Sequence, residues 1–108
     1  MMFQSAAIAR YLGAKHGYYP TDLVKAQECD SMVDALSDLY FNMKPMYLGN
    51  LWTKFFAFRE FRDEHLPNFM SRIDKRLEGK KYFGGDEPNL LDFHVGAFTT
   101  NPLDGRFQ

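Results

Sequence analysis

The sequence predicts an all-α helical bundle of three or four helices. Three observations carry that expectation. Apolar residues recur at spacings of three and four in every long segment. No segment alternates apolar and polar residues as a half-buried strand would. Turn-forming residues gather at Gly17 to Pro20, Gly49-Asn50, Gly79 to Pro88 and Asn101-Pro102, with stretches of helical length between them.

The first helix is expected from about Gln4 to Lys15. Ile8, Tyr11 and Leu12 share one face, Ala6, Ala7 and Ala9 favour helix, and Gly17 suits the stop. The second opens at Thr21, an N-cap residue type, with Asp22 in a first turn that suits a negative charge. Its apolar stripe runs through Leu23, Ala26, Cys29, Met32, Val33, Leu36, Leu39, Tyr40 and Met43, and Pro45 should end or kink it. The third spans about Leu51 to Leu77. Pro67 lacks an N–H and crowds the preceding turn, so a kink or restart is expected near His65 to Asn68. Phe69, Met70, Ile73 and Leu77 then form a stripe that Gly79 ends. The fourth begins at Asn89, where Asn89 and Asp92 have the spacing of a capping box. The last eight residues read as loop.

Composition narrows the function classes. Apolar residues make up 45% and charged residues 25% of the 108, which excludes a disordered tail. A net charge of −1 gives no electrostatic case for nucleic acid. No apolar run is long enough to span a bilayer, and Met1-Met2-Phe3-Gln4 lacks the features of a secretory signal. A single cysteine, Cys29, excludes an internal disulfide and a multi-cysteine metal site, and a reducing, cytoplasmic setting is expected. Aromatic residues reach 17%, and Phe55, Phe56, Phe58 and Phe61 fall within seven positions. Either these crowd the core or part of the cluster is exposed as a partner surface.

Few residues suggest chemistry on their own. His16, His65 and His94 are scattered without metal-pair spacing and read as structural or surface histidines. Cys29 lies on an apolar stripe and reads as a small core residue. Gly84-Gly85-Asp86 is a turn. Asp30, Asp34 and Asp38 stand four residues apart, where like charges repel by about 0.2–0.5 kcal/mol per pair. Such a face could accept an ammonium group or a cation, or could simply be solvated.

Several strings in order resemble the cytosolic glutathione S-transferases, the sigma class most. Gln4-Ser5-Ala6-Ala7-Ile8-Ala9-Arg10-Tyr11-Leu12 is similar to the last helix of that family's thioredoxin-like domain. Met32 to Leu39 resembles a helix of its second domain, and Leu66-Pro67, Phe83-Gly84-Gly85-Asp86 and Asn89-Leu90-Leu91-Asp92-Phe93 follow in family order. The likeness covers about residues 3–98. It implies that residues 1–17 are the last helix of a thioredoxin-like domain. Residues 18–108 would then be an incomplete helical C-terminal domain, with the whole truncated at both ends.

The resemblance also implies roles. Gln4 and Ser5 match the pair that holds the γ-glutamyl end of glutathione, and Asp38 matches the aspartate that reaches across a dimer to its α-amine. Tyr40 falls where the family lines its hydrophobic substrate site. Some sigma-class members hold a divalent cation with three aspartates of this helix. Asp34 and Asp38 match two, but Ser37 stands at the third, so no metal is expected. No residue matches the thiol-activating Tyr, Ser or Cys, so no catalytic residue is assigned. The expected partners are glutathione as substrate and a homodimer mate or docking partner met through the helical domain. Three functions follow: a glutathione transferase whose 108 residues are inactive alone, a non-catalytic interaction module, and, ranked last, a prostaglandin-isomerase-like activity as in some sigma-class relatives.

Overall fold

The computed structural model describes residues 4–100, and the loop expected over the last eight lies outside them. The architecture is all-α as expected. In order come α1 (Ser5–Lys15), α2 (Leu23–Tyr47), α3 (Leu51–Glu60), a π-helical turn (Phe61–His65), α4 (Leu66–Leu77) and α5 (Leu90–Thr100). The only β pairing among the described residues is an isolated bridge between Tyr82 and Gly85. Two compact units form, one from the chain up to Val33 and from Gly79 onward, the other from Asp34–Glu78.

In the first unit, α1 packs on α5. Gly13 is the buried residue of α1, and a Cβ there would sit 3.7 Å from Leu90 Cδ1 and 3.5 Å from Tyr19 Cβ. Both are ordinary van der Waals distances, so an alanine would also fit at this contact. Gly17, at φ +82°, ends α1 in the left-handed region that glycine adopts without strain. The chain then turns back: Tyr18 N–H donates to Gly13 O at 2.7 Å, and Leu90 N–H donates to Tyr18 O at 2.7 Å. The first N–H of α5 is thus satisfied by the loop after α1. Tyr18 also meets Phe93 edge-on at 5.2 Å. The core of this unit comprises Cys29, Met32 and Val33 from α2 with Leu90, Leu91 and Phe98 from α5.

The capping box at α5 forms with Asn and Asp. Asn89 N–H donates to Asp92 Oδ2 at 2.9 Å, and Leu91 N–H donates to Asn89 Oδ1 at 3.0 Å. Asp92 Oδ1 also accepts from Phe83 N–H at 3.1 Å, which fastens the preceding loop to the helix. A Cβ on Gly84 would collide with the Glu87 carbonyl, so this turn requires glycine.

The start of α2 differs from the expectation. The helix begins at Leu23, and the capping side chain is Asp22 rather than Thr21, with Oδ1 accepting a long bond from Val24 N–H at 3.4 Å. A carboxylate at this position caps and complements the helix dipole at once. Pro45 does not end α2, which continues to Tyr47. Proline forfeits its own N–H bond, but the next turn still closes, with Leu48 N–H on Lys44 O at 3.1 Å.

In the second unit, Leu36, Leu39 and Met43 of α2 are buried, as are Phe61, Phe69 and Ile73. Asn50 caps α3, its Oδ1 accepting from Thr53 N–H at 2.9 Å and from the Thr53 hydroxyl at 3.0 Å. The expected disturbance at Pro67 takes the form of a π turn rather than a break. Leu66 N–H reaches back five residues to Phe61 O. Pro67 stands at the start of α4, where a missing N–H is best tolerated. Widening the turn one step earlier relieves the clash that its ring would make with the carbonyl four residues back. The chain from Leu51 to Leu77 therefore runs on helically throughout.

Candidate functional site

Gln4 is the one non-glycine residue at positive φ among those described, at φ 70° and ψ 111°. A side chain held there costs about 1–3 kcal/mol, and such strain concentrates at binding sites. Gln4 immediately precedes α1, and its side chain makes no capping bond. Its carbonyl accepts the first helical bond, from Ile8 N–H at 3.1 Å. Ser5 follows as an exposed first residue of the helix. A hydroxyl beside backbone N–H groups at a helix start is suited to a carboxylate. The docking of α1 on α5 fixes where this corner stands in the first unit.

Asp38 and Tyr40 belong to the second unit, on the continuation of α2. Asp38 is exposed, as is Asp34. Tyr40 is 42% exposed, and partial burial pushes its phenol above the ordinary value. Asp30, the first of the three spaced aspartates, is set apart from the other two. The Tyr19 hydroxyl donates to Asp30 Oδ2 at 2.7 Å. Arg10 Nε lies 3.7 Å from Oδ1, within ion-pair range but beyond hydrogen-bond reach. Asp30 thus ties α1, the following loop and α2 together within the first unit. Its carboxylate also holds the Tyr19 phenol above its ordinary value, through the hydrogen bond first and burial second. Nothing in the spacing of Asp30, Asp34 and Asp38 could have revealed this, because Tyr19 and Arg10 are eleven and twenty residues away in sequence.

Cys29 is buried, and desolvation raises its thiol above the ordinary value, which makes it an inert core residue rather than a nucleophile. Among the described residues no group of three or more His, Cys, Asp or Glu side chains is arranged to hold a metal ion. Among the described residues no helix is long and apolar enough to cross a membrane.

Of the histidines, His65 has polar partners and His94 carries a buried nitrogen without one. His65, in the π turn, has Asn42 Nδ2 3.5 Å from its Nδ1 and Glu60 Oε1 3.6 Å from its Nε2. His94 lies on the same side of α5 as Leu90, Leu91 and Phe98, and its buried Nε2 has no hydrogen-bond partner. Burial lowers its pKa, since a charged imidazolium there loses its hydration. The neutral form is favoured in the folded state. Its contribution to stability is therefore complete above the unfolded value of about 6.5 and is lost as pH falls through the native value. Urea unfolding at pH 7.5 and at pH 5.5 should show acid destabilisation that shrinks in His94→Leu; an identical pH dependence in both proteins would remove His94 as its source.

Comparison with known proteins adds a family direction. The chain is 29% identical over 103 residues to hematopoietic prostaglandin D synthase of Gallus gallus, covering 95% of this chain and 51% of that protein. It is 26% identical over 98 residues to glutathione S-transferase P of Bos taurus, and equally to that of Capra hircus, covering 87% of this chain and 45% of each. The chain spans about half the length of the curated relatives it matches. No family model matches it, and no solved structure does.

Proposed function

We propose that this chain is the helical portion of a glutathione-transferase-type protein and carries one end of a glutathione site. The observation that carries this reading is the strained Gln4 at the uncapped start of α1, in a string that resembles the family's γ-glutamyl-binding segment. The relatives named for glutathione transfer support it. Residues 1–17 then form the last helix of a thioredoxin-like domain, and residues 18–108 part of the helical domain. Gln4 and Ser5 hold the γ-glutamyl carboxylate, and Asp38 of a dimer mate pairs with the α-amine. Tyr40 lines the pocket for a hydrophobic electrophile.

Conjugation needs the glutathione thiolate, and hence a group that lowers the thiol pKa. No residue of this chain is assigned that task. The 108 residues alone should not accelerate conjugation of a model electrophile over the uncatalysed rate, and measurable acceleration would overturn this assignment. Glutathione binding by the chain should be weak, because only one end of the ligand is held. Ser5→Ala should weaken it further, by about tenfold for a lost charge-assisted hydrogen bond. In a full-length dimer Asp38→Asn should likewise raise the glutathione Kd, while an unchanged Kd would take Asp38 out of the site.

A second reading is a non-catalytic interaction module. It is favoured by the exposure of Phe55, Phe56 and Phe58, at 57%, 59% and 50%. The intact mass of the protein from its natural source separates the two. A mass near 12.6 kDa favours the module, and one about twice as large favours the transferase.

A further inference from the structure

Gln4 is held at a strained φ of 70°, and a residue persists there only where its surroundings fix it. Its own helix supplies little of that support. Gly13 is the one buried residue of α1, and it has no side chain to take out of water. Tyr11 and Leu12 are 49% and 46% exposed, and Ile8 is half-buried. The contacts at Gly13, with Tyr18 N–H on its carbonyl and Leu90 beside it, lie toward the C-terminal end of the helix. At 1.5 Å of rise per residue, Gly13 stands about 14 Å from Gln4. A helix with so little apolar burial can swing at its start.

Arg10 stands nearer that start, six residues after Gln4 and so about 9 Å along the axis. Its Nε lies 3.7 Å from Asp30 Oδ1, and the Tyr19 hydroxyl donates to Asp30 Oδ2 at 2.7 Å. One carboxylate therefore meets the helix through one oxygen and the loop after it through the other. The support beneath it is firm, because Cys29, Met32 and Val33, its near neighbours on α2, are all buried. Oδ1 is buried without a hydrogen-bond partner. Among the described residues Arg10 is the one cation in ion-pair range of Asp30, so the charge on Oδ1 is answered from α1. All of these residues belong to the first unit.

We propose that Asp30 is a positioning residue for the glutathione corner: its charge draws Arg10 toward α2, its hydrogen bond fastens Tyr19, and the two together set where Gln4 and Ser5 stand. The inference rests on the glutathione reading of Gln4 and Ser5. It adds a residue that acts through Arg10 and Tyr19 rather than on the ligand. At 3.7 Å the guanidinium acts as a point charge, so its sign matters more here than its planar fork.

The test follows two quantities by NMR in the full 108-residue chain. The first is hydrogen exchange of the Ile8 amide, which donates to Gln4 O and so reports on the start of α1. The second is the glutathione Kd. Asp30→Asn and Arg10→Gln should each speed exchange at Ile8 by about fivefold, the factor for one net hydrogen bond, and should raise the Kd by a similar factor. Tyr19→Phe, which removes a single hydroxyl, should act in the same direction if the larger changes impair folding. Exchange in α4, in the second unit, should stay unchanged, which separates a local release of α1 from general destabilisation. Arg10→Lys keeps the charge and should hold both quantities near those of the unaltered chain, a rescue that a packing role would not give. Unchanged exchange at Ile8 in Asp30→Asn and Tyr19→Phe overturns the proposal. Faster exchange with an unchanged Kd does so too, since Asp30 would then serve stability alone, as does Arg10→Lys behaving like Arg10→Gln. Absence of glutathione binding by the unaltered chain, with Ile8 responding as expected, overturns the glutathione reading instead and leaves Asp30 as the residue that orders the start of α1.

Discussion

Asp92→Ala is expected to destabilise the fold by about 2–4 kcal/mol. The carboxylate accepts from Asn89 N–H and Phe83 N–H at 2.9 and 3.1 Å, and alanine leaves both donors without that partner. A hydrogen bond to a charged group contributes about 1.5–3 kcal/mol, and two sharing one carboxylate do not add fully. Against a domain stability of about 5–15 kcal/mol this is a large fraction. The effect should reach the candidate site as well. The start of α5 receives the loop after α1 through the Leu90 N–H to Tyr18 O bond, and α1 packs on α5. Loosening the cap therefore loosens the seat of Gln4 and Ser5. Urea unfolding followed by circular dichroism measures the loss. Asp92→Asn, which keeps one acceptor oxygen, should lose distinctly less. A loss below about 1 kcal/mol for the alanine variant would show that water replaces the carboxylate at both amides.

Phe98→Ala should cost about 3–5 kcal/mol, the range for deleting a fully buried phenylalanine. Phe98 has no exposed surface, whereas Phe93 on the same helix is 54% exposed and meets only the edge of Tyr18 among the ring contacts. Phe93→Ala should therefore cost distinctly less than Phe98→Ala, since about half of its ring area is already in water. Two phenylalanines five residues apart thus serve as each other's control. Equal losses in thermal or urea unfolding would mean that α5 does not present the same face to the core in solution.

The helices were legible because their causes are local. Spacings of three and four, the Asn89–Asp92 box and the glycine after α1 act within one or two turns. Each appears in the structure where the sequence places it. Proline was legible only in part. Its missing N–H is a local fact, but whether a helix stops depends on what the neighbouring turns can still bond. Pro45 is carried through in the last turn of α2, and Pro67 follows a π turn. The proposed site residues, Gln4, Ser5 and Asp38 for glutathione and Tyr40 for the hydrophobic substrate, were named by family resemblance; only Asp38 also stands out by charge spacing.

Long-range partners decided the rest. Four phenylalanines in seven residues cover too much of a helix for periodicity to say which faces inward. The structure buries Phe61 and leaves Phe55, Phe56 and Phe58 exposed. Three aspartates at equal spacing look alike in sequence, yet only Asp30 is held by Tyr19 and Arg10. By itself the sequence determined the helical class, most helix ends to within a few residues, and the cap of α5, because backbone hydrogen bonding and side-chain spacing are short-range. Tertiary structure alone decided which aromatic rings stay in contact with water and which carboxylate is paired with its neighbours, because burial and pairing depend on residues distant along the chain.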